Sequence, residues 1–188
     1  MDGGEGIIVE ARSVLVLGGA RSGKSAYAQR LAEAMAAERL YLATAEAGDA
    51  EMAARIARHQ AGRGGGWTTR EAPLALAEAL GAEARVGRVV LVDCITLWLS
   101  NLMAADRDTE SEVAGLVDVI GALQGPAIFV SNEVGMGVVP ETRLGRDFRD
   151  AQGRANQEVA RACDAAVFVA AGLPRLHKPA PLATFKPR

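Results

Sequence analysis

Lysine is scarce in this sequence. Lys24 is the only lysine before Lys178, and arginine supplies nearly all of the remaining positive charge. Acidic and basic residues almost balance, with a formal net charge of -2. This balance gives no electrostatic reason to expect binding to nucleic acid, so no nucleic acid is expected as a partner. A single lysine at position 24 therefore needs an explanation of its own.

Aromatic residues and cysteines are also few. Aromatics make up 4% of the chain, so alanine, valine and leucine must build the core. The two cysteines, Cys94 and Cys163, have no neighbouring Cys or His at metal-ligand spacing. They are expected to be small buried residues in a reducing compartment.

Long uninterrupted apolar segments are missing as well. The longest run, residues 89–105, is broken by Asp93 and Asn101 and does not predict a membrane span. The first residues lack the basic segment and apolar run of a signal peptide. These features together predict a cytoplasmic protein.

Strand-like and helix-like segments alternate along the chain. Apolar runs rich in Val, Leu and Ile predict strands covered on both faces at 13–18, 39–45, 88–94, 126–132 and 165–172. Helical spacing predicts helices at 23–38, 50–61, 73–84, 109–124 and 147–164. This alternation indicates one α/β domain over 1–188, with a mostly parallel sheet flanked by helices and a core at about 13–172. Residues 67–73 predict an extra edge strand, and the Pro-rich segment 173–188 an extended, poorly packed tail.

The segment "GGARSGKS" has the pattern G-x-x-x-x-G-K-[ST] between a predicted strand and a predicted helix. Glycines let the backbone turn tightly and direct its N–H groups inward, and the helix N-terminus attracts phosphate. Lys24 supplies a mobile charge for the β- and γ-phosphates, and Ser25 a hydroxyl for Mg²⁺. The predicted nucleotide-phosphate loop comprises Gly18, Gly19, Ala20, Arg21, Ser22, Gly23, Lys24 and Ser25.

An aspartate ends the predicted strand 88–94. At the carboxyl end of a strand, Asp93 is expected near the phosphates, where it would hold Mg²⁺ together with Ser25. The alternative role for Asp93 is to cap the helix that follows.

His59 lies on one helical face with Met52 and Ile56. Two interpretations remain open from spacing alone: a partly buried histidine at a helix end, or a nucleophile toward phosphorus. In the second case the neighbouring arginines would lower its pKa and neutralise the phosphate; these are Arg55, Arg58 and Arg63. His177, in the Pro-rich tail, is expected to be a solvated surface residue.

Five segments in the same order resemble the bifunctional adenosylcobinamide kinase / adenosylcobinamide-phosphate guanylyltransferase family of cobalamin biosynthesis. They are "VLGGARSGKSAYAQ", "YLATAEAGDAEMAARIARHQAGR", "WTTREAP", "VDCITLWLSNL" and "VSNEVGMGVVPETRLGRDFRDAQGRANQEVA", and they span about residues 13–172. The resemblance implies a P-loop NTPase-like, RecA-like fold. It also implies two reactions: phosphorylation of adenosylcobinamide with ATP or GTP, and transfer of GMP from GTP to the adenosylcobinamide phosphate.

The same resemblance implies site residues. His59 is the residue expected to carry GMP, with Lys24 as the second catalytic residue and Mg²⁺ as the metal. Further nucleotide contacts are implied at Ala43, Thr44, Ala45, Gln60, Ala61, Gly62, Arg63, Glu71 and Asp93. The family forms a homotrimer, so the same assembly is expected here.

Several roles stay open at the level of sequence. Glu133 is either a group that orients the attacking hydroxyl or Mg²⁺, or a carboxylate that stabilises its own loop. Arg146 and Arg149 either reach substrate phosphate or a neighbouring subunit, or lie on a solvated helix face with Asp147 and Asp150. Two rival functions are a kinase of another small metabolite and a non-catalytic nucleotide-dependent switch.

Overall fold

The computed structural model describes residues 9–45 and 65–179. The strands in these ranges are β1 (Ser13–Gly18), β2 (Glu38–Ala43), β3 (Trp67–Glu71), β4 (Arg88–Asp93), β5 (Ala127–Asn132), β6 (Ala165–Ala170) and β7 (Leu173–Lys178). They form one sheet in the order β3-β2-β4-β5-β1-β6-β7. All neighbouring strands are parallel except β6 and β7, which are antiparallel. The five strands predicted from continuous apolar runs are confirmed, and so is the additional edge strand.

The helices are α1 (Lys24–Met35), α2 (Leu76–Glu83), α3 (Ile95–Ala104), α4 (Thr109–Gly121) and α5 (Arg143–Ala162). Helix α5 begins earlier than predicted because Thr142 caps it: the Oγ1 atom of Thr142 accepts a hydrogen bond of 3.1 Å from the backbone N–H of Gly145. Helix α3 was not among the predicted helices, since its sequence is almost uniformly apolar and shows little periodicity. The predicted helix 50–61 lies outside the described residues.

The sheet has a separate apolar layer on each face. On one face, Ala28 and Ala32 of α1 pack against Val16 and Val130. On the other face, helices α2 to α5 contribute buried side chains such as Leu80, Trp98, Leu116 and Val159. Alternate residues of each central strand belong to alternate layers, as the pleat of a strand requires. This arrangement leaves the two ends of the strands free for loops.

The chain after residue 172 differs from the predicted loose tail. Ala171 and Gly172 have φ angles of 50° and 78°, and these two left-handed residues form the turn of a hairpin between β6 and β7. The far end of β7 is anchored as well, because the Nζ atom of Lys178 donates hydrogen bonds to the carbonyls of Ala160 and Arg161 at the end of α5. Residues 173–178 therefore belong to the sheet, although most of their side chains are exposed.

Candidate functional site

The phosphate loop predicted from the sequence connects the end of β1 to the start of α1. Gly23 has a φ angle of 95° and serves as the N-cap of α1, a conformation that favours glycine. Gly18 is restricted by space, since an added Cβ would lie 2.5 Å from both the Oγ atom of Ser22 and the carbonyl oxygen of Val169. Both motif glycines are therefore required by the backbone of the loop itself.

Lys24 is the first residue of α1, and 8% of its surface is exposed. Its Nζ atom donates a hydrogen bond of 3.1 Å to the carbonyl oxygen of Gly19. The ammonium group is thus folded back over the loop and largely removed from water. A cation held in this way attracts anions strongly, because less solvent screens it. Lys24 therefore places a poorly screened positive charge at the phosphate loop.

Three predicted site residues lie on neighbouring strands. Glu71, Ala43 and Asp93 are register partners on β3, β2 and β4. Because these strands are parallel, their carboxyl ends lie at one edge of the sheet, and the phosphate loop leaves β1 at the same edge. The structure thus brings Glu71, Asp93 and the loop to one side of the molecule.

Thr44 is fully buried and connects β2 to β4. Its Oγ1 atom donates to the carbonyl oxygen of Cys94 at 2.8 Å and accepts from the backbone N–H of Cys94 at 2.7 Å. The side-chain amide of Asn101 donates to the Thr44 carbonyl oxygen at 2.7 Å. The Thr44 hydroxyl therefore fixes the backbone directly after Asp93. Contact of residues 43–45 with nucleotide stays a prediction.

Cys94 is the N-cap residue of α3, so it occupies the capping position that was the alternative role for Asp93. The pKa of the Cys94 thiol is raised to about 11, chiefly by burial and also by the charge of Asp93, while the charge of Lys24 acts to lower it. Asp93 and Lys24 thus act on the same buried atom from β4 and from α1. The thiol stays protonated at neutral pH and does not act as a nucleophile.

The loop after β5 also adjoins the phosphate loop. The backbone N–H of Glu133 donates a hydrogen bond of 3.1 Å to the carbonyl oxygen of Gly18. The Oε1 atom of Glu133 accepts from the backbone N–H of Gly135 at 2.6 Å. Its carboxylate therefore does stabilise its own loop, which is one of the two roles left open by the sequence.

The arginines at the start of α5 make local contacts. Arg146 donates to the carbonyl oxygens of Pro140 and Glu141 at 3.1 and 2.7 Å. Arg149 is 3.4 Å from an oxygen of Asp150. These contacts agree with the interpretation of this segment as a solvated helix face, and Arg146 additionally fixes the loop that precedes the helix.

The predicted nucleophile lies outside the described residues, together with its neighbours: His59, Gln60, Ala61, Gly62 and Arg63. The other histidine, His177, is exposed on β7, and its ring makes an edge contact with Phe168 at 5.9 Å between ring centroids. Its predicted surface position is confirmed.

Sequence reasoning missed one part of this edge. The backbone N–H of Gly172, in the β6–β7 turn, donates a hydrogen bond of 2.8 Å to the carbonyl oxygen of Ser22 in the phosphate loop. The available signal was a glycine at two-residue hairpin spacing after an apolar strand. The prolines that follow at 174, 179 and 181 directed the prediction toward a tail instead.

Within residues 9–45 and 65–179, no group of three or more His, Cys, Asp or Glu side chains has the arrangement of a metal site. Nor does any helix in these ranges have the length and apolar character that crossing a bilayer demands. Ser25 and Asp93 supply two oxygen groups at the phosphate edge, a donor type that suits a magnesium ion already bound to nucleotide and water.

The solved structures with a similar fold include ATPases of type III secretion systems. The ATPase EscN of enteropathogenic Escherichia coli superposes with a TM-score of 0.57 at 13% identity, covering 86% of this chain and 43% of EscN. A second such ATPase, described as prototypical, gives a TM-score of 0.51 at 12% identity, covering 84% of this chain and 50% of that one. These likenesses show the fold alone, a mostly parallel sheet flanked by helices that this chain shares with both ATPases.

Sequence comparison gives much stronger matches. The chain is 49% identical over 170 residues to the bifunctional adenosylcobalamin biosynthesis protein CobP of Pseudomonas aeruginosa, covering 89% of this chain and 98% of that protein. It is 38% identical over 175 residues to the protein CobU of Escherichia coli, covering 85% and 96%. The CobU model, described as cobinamide kinase / cobinamide phosphate guanyltransferase, matches residues 14–176. The chain therefore belongs to the cobinamide kinase / cobinamide phosphate guanyltransferase family of enzymes.

Proposed function

We propose that this enzyme phosphorylates adenosylcobinamide with ATP or GTP and then transfers GMP from GTP to the product through a guanylylated His59. The final products are adenosylcobinamide-GDP and pyrophosphate. The observation that carries the proposal is the family match over residues 14–176, which includes the phosphate loop and every predicted site residue. The folded position of Lys24 and the meeting of Glu71 and Asp93 at the same sheet edge support it.

The first reaction is phosphoryl transfer. A bond forms between the aminopropanol hydroxyl of adenosylcobinamide and the γ-phosphorus, and the bond from that phosphorus to the β–γ bridging oxygen breaks. The hydroxyl proton is lost to a base or to solvent. Backbone N–H groups of residues 18–25 and the ammonium of Lys24 offset the charge that develops on the phosphate oxygens.

Mg²⁺ fits this edge as a partner of the nucleotide. Ser25 and Asp93 would hold it, directly or through water, since hydroxyl and carboxylate oxygens are ligands that Mg²⁺ prefers. When bound, the metal neutralises charge on the β- and γ-phosphates. Asp93 is partly exposed at the end of β4, so its carboxylate is accessible from this side.

The second reaction proceeds in two displacements. A ring nitrogen of His59 attacks the α-phosphorus of GTP, and pyrophosphate leaves as the bond to the bridging oxygen breaks. A phosphate oxygen of adenosylcobinamide phosphate then attacks the same phosphorus and releases the imidazole. Arg55 and Arg63 lie close to His59 in sequence and would offset the charge of these transition states.

The remaining contacts are part of the same proposal. The segments 43–45 and 60–63, with Glu71, would hold the guanine nucleotide. The working assembly would be a homotrimer in the cytoplasm, as the family resemblance implies.

Labelling tests the proposal directly. Wild-type protein incubated with GTP labelled at the α-phosphorus should acquire a covalent label that is stable in base and lost in acid, as a phosphorus–nitrogen bond is. Adding adenosylcobinamide phosphate should discharge the label into adenosylcobinamide-GDP. The variant His59→Ala should not be labelled, whereas the matched control His177→Ala should behave like the wild type.

Two results would contradict parts of the proposal. Persistent labelling of His59→Ala would exclude His59 as the carrier of GMP. A wild-type protein that phosphorylates adenosylcobinamide but neither acquires nor transfers the label would limit the activity to the kinase reaction.

A further inference from the structure

The strand β5 lies between the strand that leads into the phosphate loop and the strand that ends in Asp93. Its last residue, Asn132, is the register partner of Gly18 on β1. On the other side, Asp93 pairs with Val130, two positions before Asn132 on the same strand. Asn132 therefore occupies the carboxyl end of the sheet between the first glycine of the loop and the acidic residue of β4.

The pleat of β5 determines which face Asn132 occupies. Ile128 and Val130 pack in the layer that contains Ala28 and Ala32 of α1, whereas Phe129 packs in the opposite layer. Because side chains alternate along a strand, Asn132 follows Ile128 and Val130 onto the face of α1. That is the face on which the phosphate loop turns into its helix. By the same alternation, Asp93 follows Leu91 onto this face.

The backbone of Asn132 is held by side chains as well as by the sheet. Its N–H donates to the Oγ1 atom of Thr96 at 2.8 Å. Its carbonyl oxygen accepts from the side-chain amide of Asn156 at 3.0 Å. Thr96 belongs to α3 and Asn156 to α5, so two helices fix the position of this one residue.

A buried polar network supports these contacts. The Oγ atom of Ser131 donates to the Oδ1 atom of Asn156 at 2.7 Å. The side-chain amide of Gln152 donates to Ser131 and to Asn156 at 3.0 and 2.9 Å. Ser131 and Gln152 are fully buried. Burying such groups opposes folding unless they are satisfied, and apolar side chains would fill the same space at lower cost. These buried polar side chains instead fix the orientation of the backbone at the end of β5.

The side chain of Asn132 itself makes no hydrogen bond to the part of the chain that the structure describes, although it is partly buried. The next residue, Glu133, directs a carboxylate oxygen at the N–H of Gly135 instead. An amide with two N–H donors, carried by a backbone that is fixed beside the phosphate loop, is suited to bind phosphate oxygens.

We propose that the side-chain amide of Asn132 donates a hydrogen bond to the terminal phosphate of the bound nucleoside triphosphate. Asn132 is thereby a catalytic residue of phosphoryl transfer, and Thr96, Ser131, Gln152 and Asn156 are residues that position it. The inference rests on the proposed function for the reaction in which this contact is used. It adds a second donor, besides Lys24, that stabilises the charge on the transferring group.

Binding measurements test the contact without turnover. The probes are GDP and a non-hydrolysable GTP analogue, each with Mg²⁺, titrated by calorimetry against wild type, Asn132→Ala and Asn132→Asp. Loss of a hydrogen bond to a charged group should reduce the preference for the triphosphate by about tenfold in Asn132→Ala. The isosteric variant Asn132→Asp should show a larger reduction of this preference, since its carboxylate repels the terminal phosphate. GDP affinity should stay close to that of the wild type in both variants.

Turnover supplies the second measurement. The kcat of adenosylcobinamide phosphorylation should fall about 100-fold in Asn132→Ala. The kcat of GMP transfer, which occurs at the α-phosphorus, should fall much less. The matched control is Gln124→Ala, which removes an exposed amide near the opposite end of β5 and should change neither reaction.

The outcomes separate this inference from the proposed function. The assignment of Asn132 is wrong if both variants keep the wild-type preference for the triphosphate. It is also wrong if their affinities for GDP and for the GTP analogue fall by the same factor. If the wild-type enzyme does not phosphorylate adenosylcobinamide but the variants still lose the triphosphate preference, the proposed function fails and the Asn132 contact stands.

Discussion

The backbone N–H of Gly172 donates a hydrogen bond of 2.8 Å to the carbonyl oxygen of Ser22, so the turn between β6 and β7 directly supports the phosphate loop. The two segments are in close contact, since a Cβ added to Gly23 would lie 3.0 Å from the Cα atom of Gly172. The carbonyl group of the peptide that links Ser22 to Gly23 is thereby fixed. The shape of the phosphate site therefore depends on a hairpin distant from it in sequence.

Substitution of Gly172 tests this dependence. No atom lies within 4 Å of a Cβ added at Gly172, so only its φ angle of 78° opposes a side chain. Valine is poorly tolerated in this conformation, whereas asparagine adopts it readily. We expect Gly172→Val to raise the Kd for GTP several-fold and Gly172→Asn to bind nearly as the wild type does, by calorimetry. Equal affinities of the two variants would show that the turn does not shape the loop.

Gly18→Ala should abolish nucleotide binding. The added methyl group would lie 2.5 Å from the carbonyl oxygen of Val169, which is held in the sheet and cannot move aside cheaply. The loop must then shift away from β6, and its N–H groups lose their common direction. The matched control is Gly115→Ala in α4, where an added Cβ meets no atom within 4 Å and helix propensity favours alanine. Calorimetric titration measures the affinity of both variants for GTP. An affinity of Gly18→Ala equal to that of the wild type would contradict the prediction.

Most of the sheet was predictable because its central strands are covered on both faces and therefore read as continuous apolar runs. Strand β7 was not predictable from the sequence, since it is exposed, contains Pro174 and lies at the edge of the sheet. Neither composition nor periodicity distinguishes such a strand from an extended tail. The pairing of β6 with β7 is a tertiary contact, and only the folded chain shows it.

The candidate site likewise contains a part that the sequence predicts and a part that it does not. The phosphate loop was predictable because its glycines, lysine and serine must stand at fixed spacing in one segment. The role proposed for Asn132 was not predictable, because it depends on the strand order that places β5 between β1 and β4. An asparagine at the end of an apolar run is typical of a turn. The prediction for His59 remains a prediction, since that segment lies outside the described residues.

Thr44 should contribute to stability through its hydroxyl. Thr44→Val keeps the shape of the side chain but leaves the buried N–H of Cys94 without its partner, while the Cys94 carbonyl oxygen keeps only the hydrogen bond from the N–H of Trp98. We expect the free energy of unfolding in urea to fall by about 2 kcal/mol. Thr44→Ser retains the hydroxyl and should recover most of that loss. If the serine variant is as unstable as the valine variant, packing of the methyl group rather than hydrogen bonding explains the effect.

The two buried thiols predict how stability depends on alkaline pH. Burial raises the pKa of Cys94 from 9.0 to about 11 and that of Cys163 from 9.0 to about 12. Below pH 9 both thiols are protonated in the folded and unfolded chain, so they impose no pH dependence. Above pH 9 the unfolded chain releases these protons first, and stability falls by up to about 1.4 kcal/mol per pH unit for each thiol.

The variant that isolates this effect is Cys94→Ala with Cys163→Ala. Every other titratable group is common to both proteins, so the difference between the two stability curves belongs to the thiols. Urea unfolding under reducing conditions at pH 8, 9 and 10 should show the wild type losing stability faster than the double variant above pH 9. Parallel curves would mean that the thiols reach solvent in the folded protein and titrate there as they do in the unfolded chain.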